Sequence, residues 1–185
     1  TITRVYTNNK AEKSAKGKNG KYVIIELSEK DEKAQLFIKA NNILPAKITL
    51  SQNEDIKTVS GKIIKVDKTE FTNNKIKNLV VDDFKQFEYK DSKTGTTVKY
   101  NLYIPKNYNK NKKYPLVLFM HDAGPLSENT KATLLQGNGA IVWATPEEQA
   151  KHEAFVLAPQ YSKKVVEDDG SMTPDLEATV NLIKD

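Results

Sequence analysis

Four consecutive residues, His121-Asp122-Ala123-Gly124, put an imidazole, a carboxylate and two small-residue backbone amides at the end of an apolar run, Tyr114-Pro-Leu-Val-Leu-Phe-Met120. A run of that length, bounded by Pro115 and Gly124, predicts a strand buried on both faces, as in a parallel sheet. Ligands of open α/β sheets gather at the carboxyl ends of strands, so the polar tetrapeptide sits where chemistry is expected. His121 could serve there as a general base or could brace the turn with its ring.

Other residues invite a chemical reading, each against a plainer one. His152 closes a short helix, where a cation complements the helix dipole. Ser171, in Gly170-Ser-Met172, has the surroundings of a nucleophile but follows a polar loop rather than a buried strand. Asp168-Asp169-Gly170 lacks the later oxygen ligands of a calcium loop and reads as a solvated turn. Gln136-Gly-Asn-Gly139 has no following Lys-Ser/Thr and no dinucleotide-binding glycine spacing, so it is a loop rather than a phosphate cradle. Trp143, beside Ile141 and Val142, reads as core or interface packing. Tyr103, Tyr108 and Tyr114 could stack on sugars, against strand packing with a wet hydroxyl.

The elements that must position these residues change character along the chain. Up to residue 83 the sequence alternates short β-like runs with polar turns: Ile2–Tyr6, Tyr22–Leu27, Ala34–Lys39, Ala46–Leu50 and Lys62–Val66 are the expected strands. Gly17-Lys-Asn-Gly20, Asn41-Asn42, Ser51-Gln-Asn53 and Thr72-Asn-Asn74 are the turns between them, and Glu29–Lys33 could form one helical turn. This pattern predicts an immunoglobulin-like β-sandwich over 1–83, lacking its first strands. From residue 84 a hairpin follows, Phe84–Lys90 and Thr96–Ile104, with Gly95 available for positive φ in its loop. Val98, Tyr100, Leu102 and Ile104 fall on one of its faces. After the apolar run, Thr145-Pro-Glu-Glu148 carries the chemistry of a helix start, with a capping box and proline at the first position. That helix should end near His152. Phe155-Val-Leu-Ala158 predicts a second buried strand, and Thr173-Pro174 opens a helix with Leu176, Val180 and Ile183 on its core face. Strand, helix, strand, helix behind a hairpin is the opening half of an α/β sheet.

Composition narrows the function. Lys+Arg outnumber Asp+Glu by 29 to 24 over 185 residues, for a net charge of +5, yet Arg4 is the one arginine. Lysines alternate with acids and asparagines throughout, which is a solubilising surface rather than a nucleic-acid site. No cysteine is present, so disulfides and thiolate metal sites are excluded. No apolar stretch approaches membrane-spanning length. The chain opens at Thr1 without methionine and is read as a processed product, with a signal peptide removed upstream.

From Phe84 onward the sequence resembles the amino-terminal half of a secreted α/β-hydrolase of the esterase or peptidase type. The resemblance rests on Tyr100-Asn-Leu-Tyr-Ile-Pro-Lys-Asn-Tyr108 followed by Tyr114–His121, and on Gln136-Gly-Asn-Gly139, Thr145–His152 and Phe155-Val-Leu-Ala-Pro-Gln160. Such enzymes carry an immunoglobulin-like domain in front, in keeping with the β-rich start. The resemblance implies a β-sandwich followed by a three-layer α/β/α domain over 84–185. It also implies ester hydrolysis by a serine in a G-x-S-x-G elbow, with histidine and an acid. His121, Asp122, Ala123 and Gly124 become the oxyanion loop, with Ala123 N–H the first candidate donor and Gly124 N–H the next. Because the family's base lies near its carboxyl terminus, His121 becomes a brace. The family motif has glycine after the histidine where this chain has Asp122, and a carboxylate there repels an oxyanion unless it points away or pairs.

No G-x-S-x-G occurs in the sequence. The expectation is therefore a chain cut before its elbow, with no catalytic residue, metal or cofactor of its own, and inactive alone. Its partners would be an ester, including one linked to plant or microbial polysaccharide, and the remaining half of the hydrolase domain. The expected location is the exterior or surface of a bacterial cell. The competing reading is a non-catalytic carbohydrate- or cell-surface-binding module with a degenerate hydrolase-like domain, supported by Asp122. A third is assembly of oligomers through the β-rich front.

Overall fold

A computed structural model describes residues 1–28, 30, 47–51, 54–58, 60–66, 70–75 and 79–185. The expected strand Ala34–Lys39, the turn Asn41-Asn42, the helical turn at Glu29–Lys33 apart from Lys30, and Ser51-Gln-Asn53 apart from Ser51 lie outside the described residues. The chain divides into two units, Thr1–Phe37 and Ile38–Asp185.

In the first unit β1 (Ile2–Asn8) pairs antiparallel with β2 (Tyr22–Leu27), so the first strand runs two residues past its expected end. Arg4 organises the connection between them. Its guanidinium donates to the carbonyls of Ser14 and Ala15 at 3.0 Å, meets Glu26 at 3.5 Å and lies 4.1 Å over the Tyr6 ring. A rigid fork with several donors can serve all of these at once, which a lysine cannot. At Gly20 a side chain is barred, because a Cβ would overlap the Asn8 carbonyl.

The second unit begins with two small antiparallel pairs. β3 (Thr49–Ser51) joins β6 (Glu70–Thr72), and β4 (Ile56–Lys57) joins β5 (Ile63–Ile64). Thr72, expected to open a turn, closes a strand, because its register partner Thr49 holds it in the ladder.

Next comes a short helical turn, Val81–Asp83, entered through strain. Val80 has φ 67° and ψ −51°, and Val81 N–H donates back to the Leu79 carbonyl at 2.8 Å. A γ-turn of this hand on a β-branched residue costs about 1–3 kcal/mol. Burial of the neighbouring Val81 and Phe84, 4% and 5% exposed, contributes about 1.5–3 kcal/mol for each side chain and outweighs it.

Among the described residues the main sheet has four strands: β7 (Lys85–Lys90), β8 (Thr97–Tyr103), β9 (Leu116–Leu118) and β10 (Phe155–Gln160), in the order β7-β8-β10-β9. The β7–β8 and β8–β10 pairs are antiparallel and β9–β10 is parallel. The β7–β8 loop turns at Gly95, φ 72°, as its glycine predicted. Asp91 anchors that loop by accepting from the Lys93 and Thr94 amides, the Thr94 hydroxyl and the Asn181 side chain.

β9 is not buried on both faces: it is the edge strand, with Leu116 and Leu118 42% and 38% exposed. The later strand β10 inserts between β8 and β9 and takes the buried place, with Val156 and Ala158 fully buried. On β8 the buried residues Val98, Asn101 and Tyr103 come from both faces. That strand lies inside the sheet and is covered on both faces.

One face of the sheet packs Val156, Ala158 and Tyr103 against Leu134 of α1 (Ala132–Leu135), Ala140 and Ala144. The other packs Val98 and Tyr161 against Ala178 of α3 (Pro174–Lys184). Between β9 and β10, α2 (Pro146–Lys151) starts at the expected threonine and proline but forms half of the expected capping box. The Thr145 N–H donates to the Val142 carbonyl, and the Glu148 carboxylate meets His152 and Lys151. Pro146 is the first helical residue, Thr145 Oγ1 accepts the Glu148 N–H at 3.3 Å, and His152 is the C-cap. α3 begins at Pro174 as expected, but its buried face is Ala178, Thr179 and Asn181, and Val180 and Ile183 are exposed. Two of the three residues expected inward, Val180 and Ile183, face outward because the helix meets the Tyr161 hydroxyl through Thr179 and Asp91 through Asn181, while Leu176 is half-buried. Nor does Thr173 cap with its side chain, since its hydroxyl donates to the Val165 carbonyl at 3.0 Å.

Candidate active site

The loop after β9 is held by the sheet from below. Phe119 N–H donates to the Leu157 carbonyl at 2.9 Å, extending the parallel pairing past β9. Gly139 lies against the Phe119 ring, where a Cβ would overlap the ring carbons. The glycines of Gln136-Gly-Asn-Gly139 thus include one whose role is packing under the loop.

His121 turns inward and is 7% exposed. Its Nε2 lies 2.9 Å from the Tyr161 backbone N–H, and its Nδ1 lies 2.7 Å from the Asp122 carbonyl. An amide can only donate and a carbonyl can only accept, so Nε2 accepts, Nδ1 carries the proton, and the ring is the neutral tautomer. With both nitrogens engaged and the ring tilted on Tyr161 at 5.2 Å, the imidazole ties β10 to the loop. No ring nitrogen is left to take a proton from a nucleophile.

Gln160, 4% exposed, is the second tie and was not singled out from sequence. Its Oε1 accepts the Thr133 N–H at 2.7 Å, and its Nε2 donates to the carbonyls of Pro125 and Tyr161 at 2.8 and 3.0 Å. One side chain joins α1, the loop and the end of β10. A polar residue after Pro159, closing an apolar run at the carboxyl end of a strand, is the signal that could have found it. Asn101, fully buried on β8, donates to the Thr130 and Ala158 carbonyls at 2.6 and 3.1 Å and fixes the same connection from the next strand.

The carboxylate of Asp122 folds back on its own loop, where Oδ1 accepts the Gly124 N–H at 2.9 Å. That amide, one of the two candidate donors, is occupied. The Ala123 N–H has no partner among the described residues. Ala123, His121 and Asp122 line a cleft of about 280 Å³, together with Tyr161, Lys163 and Val165 from the segment after β10. Lys164 pairs with Asp168 at 3.1 Å beside it. Burial pushes the Tyr161 phenol up, and its hydroxyl bonds Thr179 Oγ1 at 3.0 Å beneath the cleft.

The remaining candidates are not gathered here. His152 is exposed and meets Glu148 at 3.3 Å. Ser171 holds Asp169 below the usual carboxylate range, through its hydroxyl and then its backbone N–H, and serves a turn. Trp143 is 41% exposed rather than core, on a short helical turn whose buried residue is Ala144. Tyr103 packs on Phe84, and Tyr108, Tyr114 and Phe155 form a cluster of three rings. No group of three or more His, Cys, Asp or Glu able to hold a metal occurs among the described residues. No helix among them is long and apolar enough to cross a membrane.

Within 84–185 the described residues form a four-stranded sheet with helices on both faces and a polar loop at the parallel strand ends, an α/β arrangement. Residues 1–65 match the model of the esterase immunoglobulin-like N-terminal domain. The whole chain is similar to a thermostable esterase of known crystal structure, at 32% identity and a TM-score of 0.81. The match covers 100% of this chain and 52% of that one, so the chain spans about half the length of that relative. A CE1 ferulic acid esterase from the anaerobic fungus Anaeromyces mucronatus matches 55% of this chain and 38% of its own, at 25% identity. Its TM-score of 0.33 is too low to carry a comparison. No curated protein matches the chain. The resemblance read from sequence, to an esterase with an immunoglobulin-like front domain, is thus met by both the family and the structural relative.

Proposed function

We propose that this chain is the amino-terminal part of a serine-dependent carboxylic ester hydrolase. In this reading 1–83 form an immunoglobulin-like β-sandwich and 84–185 the first half of an α/β-hydrolase domain. The observation that carries it is the loop at the parallel strand ends, where Ala123 N–H stands without a partner among the described residues beside a cleft while His121 and Gln160 hold the backbone in place. A preset amide of this kind suits the oxygen of a tetrahedral intermediate, where developing charge strengthens the bond as the reaction proceeds. Similarity over the full chain to a thermostable esterase supports the same reading.

The chemistry divides between this chain and what lies past it. Ala123 N–H supplies one oxyanion donor. Asp122, which would repel the oxyanion if free, is turned onto Gly124 N–H, and this weakens the case for a degenerate, non-catalytic binding module. The nucleophile, acid and base, with the second donor, belong to sequence beyond Asp185. The open edge of β9 is where the next strand of the sheet would pair. The chain alone is then inactive. The substrate is an ester, with a polysaccharide-linked ester the leading class, and the protein acts outside the bacterial cell.

Reading the parent gene past Asp185 tests the proposal. A buried strand ending in Gly-x-Ser-x-Gly within a few tens of residues is expected. Its absence, or robust ester turnover that survives mutation of that serine, overturns the proposal.

A further inference from the structure

The sheet carries a second cleft at its other end. It has a volume of about 240 Å³ and lies at the start of β10 and the end of β8, lined by Tyr103, Lys106, Asn107, Gln149 and Glu153. Six residue steps along β10, at about 3.3 Å each, put it about 20 Å from the His121 loop. The two clefts are therefore separate sites.

Tyr103 makes this cleft more than a surface dent. The residue is 2% exposed, its ring is packed at 5.7 Å on Phe84, and its hydroxyl has no hydrogen-bond partner among the described residues. A buried phenol usually finds a partner, and this one faces the cleft instead. Burial first, then the charges of Asp83 and Glu153, raise its pKa, so the hydroxyl stays a donor at neutral pH.

The charges around it are already balanced: Lys106 meets Asp83 at 3.7 Å and Lys112 meets Glu153 at 2.6 Å. A charged ligand would have to break one of these pairs, whereas a neutral ligand rich in hydroxyls need not. Such a ligand can accept from Tyr103 and Lys106, exchange bonds with the Asn107 amide and donate to Glu153. Gln149 is fully used in the wall, on the Trp143 and Ala154 carbonyls, and keeps the shape. Beside the cleft, Tyr108 stands 51% exposed, with its ring fixed against Tyr114 and Phe155 at 5.7 and 5.5 Å. A rigid, half-exposed aromatic next to a neutral polar cleft suits the apolar face of a sugar ring.

From these placements we infer that the Tyr103 cleft is a saccharide-binding site, distinct from the His121 loop, that holds a neutral polysaccharide chain. It does not depend on the protein being an esterase.

The test is calorimetric titration of the full-length protein with cellohexaose, xylohexaose and mannohexaose, each to about ten millimolar. At least one is expected to bind with a Kd in the millimolar range or tighter. Tyr103→Phe, which keeps the ring packing, should weaken that binding about five- to tenfold by removing one buried hydrogen bond. Asn107→Ala, at an exposed position, should weaken it several-fold and decides the matter if the first variant fails to fold. No binding by any of the three sugars overturns the proposal, as does wild-type affinity in the folded variants. Ester turnover without sugar binding removes this site and leaves the esterase reading standing. Binding without turnover does the reverse.

Discussion

Replacing His121 with alanine should lower stability by about 3–5 kcal/mol, and the structure gives the parts. Tyr161, 2% exposed, would keep a backbone N–H with neither the imidazole nor water to accept it, which costs about 1–3 kcal/mol. Losing the Nδ1–H bond to the Asp122 carbonyl removes about 1 kcal/mol more. The hole left beside the Tyr161 ring adds a cavity contribution of about the same size. Glutamine and asparagine separate the two hydrogen bonds. A glutamine carbonyl reaches the position of Nε2 and should restore about half the loss, whereas asparagine reaches that of Nδ1 and leaves Tyr161 unpaired. Urea unfolding at constant m-value measures the differences, and hydrogen exchange at the Tyr161 amide reports the bond itself. A cost below about 1 kcal/mol for alanine, or asparagine rescuing better than glutamine, would refute the brace.

Three further outcomes are expected. Gly139→Ala should cost about 1–3 kcal/mol because its Cβ overlaps the Phe119 ring, and Phe119→Leu should recover part of that in a double-mutant cycle; additive effects would contradict the contact. Burial opposes ionisation of Asp91, but hydrogen bonds from Asn181, Thr94 and the backbone amides of Lys93 and Thr94 outweigh it and hold the carboxyl below its ordinary value. A lowered folded-state pKa gives stability that is present above the unfolded value, about 4, and lost as pH falls through the folded one, so Asp91→Asn should flatten the acid arm of a urea-midpoint profile between about pH 5 and pH 2. An unchanged acid arm in that variant would count against it. On α3, Val180→Lys should change stability by less than about 0.5 kcal/mol while Ala178→Leu costs about 1–3 kcal/mol, and the opposite order would restore the inward stripe.

What sequence could reveal here follows from the range of the forces involved. The start of α2 was legible because Thr145, Pro146 and Glu148 settle it within one turn. Gly95 was legible because a hairpin loop needs positive φ locally. The His121–Gly124 loop was legible as a polar stop after an apolar run, and the structure sets three of its residues around one cleft. Burial was not legible where it depends on which strand comes between which. Tyr114–Met120 reads as interior, but β10 inserts ahead of it and leaves β9 at the edge. The turned-out face of α3 depends on Thr179 and Asn181 meeting Tyr161 and Asp91, and the latter lies 90 residues away in sequence. Gln160 escaped for the same reason, because its partners come from three separate segments. The occupied Gly124 amide depends on one side-chain rotation of Asp122, which no spacing rule encodes.

Ester hydrolysis by this protein depends, on the proposed function, on the Ala123 amide. In the protein extended past Asp185, Ala123→Pro deletes that N–H, and turnover of p-nitrophenyl acetate reads the result against a denaturation control. The expected result is kcat reduced by about 10²–10³-fold with KM little changed, since the donor acts on the transition state more than on bound substrate. A folded variant with kcat within about threefold of wild type would contradict it.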